Sequence, residues 1–113
     1  MPFIRVTTNR KLTLHQEVQI KEELGKLITI LPNKKEENLM IHMEDNQIMY
    51  FRGEDEKCMM VTIALYKESP LEAKQQFTRE MTVMLEAVTT VPVKDQYVSF
   101  MEYPNWGKQG ELV

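Results

Sequence analysis

Residues 58–72, Cys-Met-Met-Val-Thr-Ile-Ala-Leu-Tyr-Lys-Glu-Ser-Pro-Leu-Glu, decide the fold because they place a buried strand directly before a helix start. Residues 58–65 are almost continuously apolar, which is typical of a strand covered on both faces. Ser69, Pro70 and Glu72 then form a helix-start signal, with serine as N-cap, proline at the first helical position and glutamate at N3. We therefore expect a strand followed at once by a helix.

The rest of this half continues the same pattern. Apolar residues recur every three or four positions after the helix start, which predicts an amphipathic helix: they are Ala73, Phe77, Met81, Met84, Leu85 and Val88. Residues 96–101 then predict a closing strand. The carboxyl-terminal half thus has the order strand, helix, strand.

The amino-terminal half repeats that order. Residues 3–8 predict a strand, and Thr13 with Gln16 three positions later is a capping-box signal for a helix. Its apolar stripe has helical spacing and consists of Ile20, Leu24, Leu27, Ile28 and Leu31. Gly25 lies inside this helix and weakens the prediction that it is continuous. Residues 39–43 predict the second strand.

Two such units predict an α+β fold in which two β-α-β units form a four-stranded mixed sheet with both helices on one face. Right-handed crossovers bring the two helices to the same side. We expect a single domain over residues 1–113, with a pseudo-repeat of 2–45 and 57–103, and a short fifth strand at 47–51. The uncovered face of such an apolar sheet would need a partner, which predicts oligomerisation.

Composition excludes several classes of protein. The net charge of −3 argues against a nucleic-acid partner, and 42% hydrophobic residues argue against disorder. The apolar runs are too short to span a membrane, and charged residues interrupt any signal-peptide core. Cys58 is alone, which fits a reducing, cytoplasmic location. His15 and His42 are far apart without other ligands, so we expect no metal.

Pro2 is the first candidate for chemistry. Removal of Met1 would leave Pro2 with a free secondary amine, and burial or a nearby cation lowers the pKa of an amine toward neutrality. Such an amine could act as a general base. The alternative is that Pro2 is only the first residue of a strand, where its missing N–H does no harm.

Four segments in order resemble the tautomerase superfamily, and within it the macrophage migration inhibitory factor (MIF) branch. They are Pro-Phe-Ile-Arg-Val-Thr-Thr-Asn at 2–9, Asn-Gln-Ile-Met-Tyr-Phe-Arg-Gly at 46–53, Glu-Lys-Cys at 56–58 and Trp-Gly-Lys-Gln-Gly at 106–110. The resemblance implies a homotrimer with sites between subunits, no cofactor, and keto-enol tautomerisation of a 2-oxo acid such as phenylpyruvate. A phenylpyruvate or dopachrome tautomerase-like isomerase is therefore expected.

The resemblance also implies roles for individual residues. Pro2 matches the general base, and Lys34 matches the lysine that binds the substrate carboxylate. The alternative for Lys34 is a solvated residue in a charged run, and its neighbour Lys35 could take the role instead. Tyr66 stands where the family offers a backbone N–H to the substrate, although the family's Ser-Ile-Gly is Leu-Tyr-Lys here.

Three further residues complete the predicted site. Tyr97 matches an aromatic residue donated by the adjacent subunit, and its alternative is a core tyrosine on an alternating strand. Ser99 stands where mammalian members carry asparagine. Trp106 falls near the tryptophan of the pocket rim. Cys58 has Val61 three positions on, so a Cys-x-x-Cys redox motif is absent.

Two rival functions stay open. A non-catalytic MIF-like trimer could present a protein-binding surface, a role that retention of Met1 would favour because the Pro2 nitrogen would then be an amide. Other reactions of the superfamily, such as dehalogenation, usually recruit arginines in a pattern that this chain lacks. The resemblance also allows non-classical secretion.

Overall fold

The computed structural model describes all of residues 1–113, which form two long helices and a four-stranded sheet with a small hairpin at the end. The elements in chain order are β1 (Pro2–Thr8), α1 (Leu14–Leu27), β2 (Met40–Glu44), β3 (Met59–Tyr66), α2 (Leu71–Thr89), β4 (Gln96–Tyr103), β5 (Gly107–Lys108) and β6 (Glu111–Leu112). Short turns of 3-10 helix follow α1 and precede β2 and β4.

The sheet has the strand order β2-β1-β3-β4. The two central strands, β1 and β3, are antiparallel, while β2 lies parallel to β1 and β4 lies parallel to β3. Each parallel pair is joined by one helix, and a parallel pair requires such a crossover. The predicted α+β fold, with two β-α-β units and a mixed sheet, is confirmed.

The core lies between the sheet and the two helices. In β1 the buried residues alternate with half-buried ones, as expected when one face of a strand is covered. Both helices and the two central strands contribute to a single cluster of fifteen buried apolar residues, and side chains of β2 and β4 pack against it. Its largest fully buried side chains include Phe77, Ile20, Leu24, Ile63 and Met81. The helices therefore share one face of the sheet.

The start of α1 follows the sequence prediction. The Thr13 hydroxyl accepts a hydrogen bond from the Gln16 N–H at 3.1 Å, and the Gln16 side chain accepts one from the Thr13 N–H at 2.8 Å. The helix continues through Gly25, which is buried and lies against the Glu36 carboxylate where a methyl group would overlap it. Gly25 thus makes room for a neighbour and does not end the helix.

The predicted start of α2 is wrong by one residue. Pro70 adopts an extended conformation outside the helix, and no side chain caps the first turn. The Ser69 N–H donates to the Glu102 carboxylate of β4 at 2.6 Å. Glu102 places its negative charge where the positive end of the helix dipole lies. An acid distant in sequence therefore accepts the Ser69 N–H, and the Ser69 hydroxyl does not cap the helix as predicted.

The predicted fifth strand at residues 47–51 is also wrong. That segment is irregular, and only Phe51 forms an isolated bridge, to Glu54, around a tight turn in which Arg52 and Gly53 both have positive φ. The additional strands lie instead at the carboxyl end, where β5 and β6 pair as a hairpin.

The face of the sheet away from the helices is uncovered and mixed in character. Aligned positions across the four strands form an apolar row: Met40, Phe3, Ala64 and Met101. The row beside it is polar: His42, Arg5, Thr62 and Ser99. This open face presents both apolar and polar groups to a partner.

Candidate active site

A cavity of about 280 Å³ opens at the amino terminus of the chain. It lies between the first residue, the turn that follows α1 and the loop that joins β3 to α2. The residues that line it are Met1, Pro32, Asn33, Lys34, Tyr66, Lys67, Glu68, Ser69 and Pro70. Three separate parts of the sequence therefore meet here.

The sheet register and a tight turn bring these parts together. Pro2 pairs with Leu65, so Met1 lies beside the end of β3. The turn after α1 has Asn33 at a φ of 63°, a conformation that asparagine tolerates better than most residues. The turn directs Lys34 toward the same strand end, where its ammonium group donates a hydrogen bond to the Tyr66 carbonyl at 3.3 Å.

The electrostatics of the cavity favour a neutral amine. Burial lowers the pKa of the Met1 amine, and the positive charges of Lys34 and Lys108 lower it further. The pKa of Lys34 is itself lowered by burial, an effect that the charge of Glu102 partly opposes. An amine that is easily deprotonated therefore lies close to a lysine that can bind an anion.

Glu102 is a residue of this region that the sequence did not indicate. Its carboxylate accepts hydrogen bonds from the Lys74 ammonium at 2.8 Å and from the Ser69 N–H. Burial alone would raise its pKa, but these bonds and the nearby lysines outweigh burial, so the pKa is lowered. The alternation of side chains along β4 could have indicated Glu102. The residues that share the helix side of this strand are Gln96, Val98, Phe100 and Glu102. An acid on that side needs a partner.

Aromatic rings extend from the cavity toward the carboxyl-terminal hairpin. Tyr66 pairs with Tyr103 across the sheet, and the ring of Tyr103 lies 6.2 Å from that of Trp106. The Lys67 ammonium lies 5.1 Å from the centre of the Tyr66 ring. Trp106 therefore does not line the cavity; it lies beside Tyr103, which pairs with the lining residue Tyr66.

Tyr97 and Ser99 lie elsewhere in this chain. Tyr97 is near the opposite end of β4 from Glu102, a separation of about 17 Å at the usual rise of a strand. Its side chain is 61% exposed, so the alternative of a core tyrosine is wrong. The ring of Phe51 contacts it edge-on at 4.9 Å. Ser99 pairs with Thr62 on the open face, outside the cavity.

The strand order of the sheet and its two helices are those of the tautomerase/MIF-like fold. Leishmania major MIF2 is similar over 100% of this chain and 97% of its own, with a TM-score of 0.93 and 17% identity. The MIF-like protein of Entamoeba histolytica is similar over 99% of this chain and 98% of its own, with a TM-score of 0.86 and 17% identity.

A third similar structure is Pt0534 inactivated by 2-oxo-3-pentynoate, which covers 96% of this chain and 93% of its own, with a TM-score of 0.82 and 13% identity. No protein-family model and no curated protein sequence matches the chain. The structural similarity thus establishes the fold, and the activity has to be argued from the cavity.

The structure contains neither a metal-binding cluster nor a helix suited to spanning a membrane. No three His, Cys, Asp or Glu side chains are grouped so that they could hold a metal ion. Neither helix combines the length and the hydrophobicity needed to cross a bilayer.

Proposed function

We propose that the protein is a keto-enol tautomerase acting on 2-oxo acids of the phenylpyruvate type, with Pro2 as general base after removal of Met1. The observation that carries this proposal is the shared cavity of the amino terminus and Lys34. Removal of Met1 would transfer the free amine to Pro2, the buried first residue of β1. The causes that lower the pKa of the Met1 amine lie around that same end of the chain.

The reaction needs only a proton to move. The Pro2 nitrogen takes a proton from C3 of the keto acid, the C2–C3 double bond forms, and the ketone oxygen receives a proton to give the enol. Lys34 binds the substrate carboxylate, and a backbone N–H at Tyr66 orients it. No atom is lost or gained, so the reaction requires no cofactor.

The remaining site residues come from assembly. We propose a homotrimer in which Tyr97 and Ser99 of a neighbouring copy approach the cavity, with the Tyr97 hydroxyl stabilising the enolate oxygen. Trp106 contributes to the rim through Tyr103. Tyr97 supports this arrangement because it is exposed and remote from the cavity of its own chain. We further propose a cytoplasmic location, to which the buried thiol of Cys58 is suited.

The test compares protein whose Met1 is shown by intact mass to be absent with its Pro2→Gly variant. We expect the variant to lower kcat/KM for phenylpyruvate tautomerisation by about a hundredfold, the usual contribution of a general base. Protein that retains Met1 serves as the matched control, because its Pro2 nitrogen is an amide that cannot act as a base, and we expect its kcat/KM to fall as well.

A chemical probe gives a second readout. Pt0534 is inactivated by 2-oxo-3-pentynoate, and an amine can add across the triple bond of that molecule, forming a C–N bond while the amine proton moves to the other alkyne carbon. We expect the mass of one probe molecule per chain, located on Pro2. Equal turnover by wild type and Pro2→Gly would overturn the proposal. An inactive, unlabelled wild type without Met1 would favour the non-catalytic binding module.

A further inference from the structure

Glu102 connects the wall of the cavity to the sheet and to α2. Its carboxylate accepts a hydrogen bond from the Ser69 N–H at 2.6 Å, and Ser69 lines the cavity together with Lys34. On its other side the carboxylate binds the Lys74 ammonium at 2.8 Å. Only 20% of the Glu102 side chain and 17% of that of Lys74 are exposed. A mostly buried acid thus binds the loop at residues 67–70 through Ser69, next to the backbone hydrogen bond that the Lys67 N–H donates to the Tyr103 carbonyl at 2.7 Å.

The charges around Lys34 come from several elements. The Met1 amine and the Lys67 ammonium group are basic, whereas Glu68 of the loop and Glu102 of β4 are acidic. Among the acids, it is Glu102 whose charge acts appreciably on Lys34, and Lys34 in turn acts on Glu102. The Lys74 ammonium of α2 also binds the Glu102 carboxylate and partly neutralises its negative charge. The Lys34 ammonium binds the carbonyl of Tyr66 at the end of β3, and Glu102 pairs with the preceding residue of that strand, Leu65, so Glu102 lies at the same strand end as Lys34.

We propose that Glu102 is a positioning residue for catalysis, which holds the loop at residues 67–70 against the cavity and supplies the counter-charge that keeps Lys34 cationic. This role rests on the proposed tautomerase function. It does not require Glu102 to touch the substrate. Its consequence is that Lys34, although partly buried, remains able to bind a carboxylate into the alkaline range.

Two substitutions separate the counter-charge from the structural bridge. Glu102→Gln removes the charge but keeps an oxygen that can accept from the Ser69 N–H. Lys74→Met breaks the same ion pair but leaves the charge of Glu102 in place. If Glu102 only held the fold together, both variants would have the same effect, because both lose the bridge.

We expect opposite results in the pH profile of kcat/KM. Without the negative charge the pKa of Lys34 falls, so the alkaline limb of Glu102→Gln should move to lower pH by about 0.5 unit, a roughly threefold change in the acid constant. In Lys74→Met the limb should stay in place or move to higher pH, because the carboxylate loses a competing cation. A common shift in both variants, or none in Glu102→Gln, would overturn the proposal.

A direct titration of Lys34 keeps this test separate from the proposed function. The ¹³Cε chemical shift of Lys34, assigned through the Lys34→Arg variant, reports its pKa without turnover. A lower Lys34 pKa in Glu102→Gln and not in Lys74→Met would support the counter-charge even if phenylpyruvate were not a substrate. An unchanged Lys34 pKa in Glu102→Gln would contradict it even if wild type were an active tautomerase.

Discussion

Lys34 and Lys35 are adjacent in the chain but have different surroundings. Lys34 is partly buried beside the amino terminus and donates to the Tyr66 carbonyl. The side chain of Lys35 is 68% exposed and pairs at 3.8 Å only with Glu37, which is exposed as well. An exposed pair of this kind contributes little to stability. Of the two lysines that the sequence left open, the structure places Lys34 at the cavity.

The two lysines therefore provide a matched pair of substitutions. We expect Lys34→Ala to raise KM for phenylpyruvate and to move the acid limb of kcat/KM to higher pH. In the chain with Met1, burial and the charge of Lys34 both lower the pKa of the terminal amine. We expect the same charge to act on the Pro2 amine after removal of Met1, so its loss in this variant should raise the pKa of that amine. The measurement is a pH profile of tautomerisation by protein without Met1.

Lys35→Ala is the control for the same profile. It removes one positive charge from the same loop, so the net charge changes equally in the two variants. We expect its KM and acid limb to match those of wild type. Similar shifts in both variants would mean that the amine senses only the overall charge of the loop, and the assignment of Lys34 would then fail.

Cys58 should be chemically inert in the folded protein. Burial and the nearby charge of Asp95 raise the pKa of its thiol, so less thiolate is present than in a free cysteine at the same pH. The residue is 4% exposed. We expect a thiol reagent to modify native protein far more slowly than protein in denaturant at equal pH. Similar rates in the two states would show that this end of β3 opens readily.

At the scale of elements, the two helix starts show what the sequence could predict. The capping box of α1 needs only residues three positions apart, so its pattern was sufficient. The start of α2 carried an equally clear pattern, but Ser69 gives its N–H to Glu102, 33 positions away. That competition depends on the folded sheet. Local signals therefore predicted the elements well, and contacts between elements changed the details.

The same two residues give a stability prediction. Thr13→Ala should lower the free energy of unfolding by about 1 kcal/mol, because it removes the hydroxyl that caps α1. Ser69→Ala should stay within about 0.5 kcal/mol of wild type, because it keeps the N–H that Glu102 binds. Denaturant unfolding at one fixed protein concentration measures both. A larger loss in Ser69→Ala than in Thr13→Ala would contradict the described cap.

At the scale of the whole molecule, the candidate site was only partly predictable. Residue chemistry indicated Pro2 without any fold, and the resemblance added Lys34 and Tyr66, which the structure brings to one cavity. Tyr97 and Ser99 carried the same kind of prediction yet lie away from that cavity. Glu102 was missed because its partners come from a loop and a helix. Whether Tyr97 and Ser99 reach the cavity of a neighbouring copy depends on how the copies assemble, which the sequence of one chain does not specify.

A mixture of two inactive variants can report whether one site is built from two copies of the chain. If each site takes Pro2 from one copy and Tyr97 from the next, Pro2→Gly and Tyr97→Ala should each be impaired as pure proteins. Mixed trimers, however, contain one interface that joins an intact Pro2 to an intact Tyr97. Random mixing of equal amounts should then restore about a quarter of the wild-type sites, because three quarters of the trimers are mixed and each has one such interface in three.

The experiment unfolds the two variants together, refolds them, and measures tautomerisation against the same variants refolded separately. Native mass spectrometry checks that the refolded species has three times the 13.4 kDa mass of the chain. The matched control is a double variant carrying both substitutions, mixed with Tyr97→Ala. Neither protein in that mixture has an intact Tyr97, so no interface can join an intact Pro2 to an intact Tyr97. Activity no greater than the separate samples would mean that Tyr97 acts within its own chain or not at all.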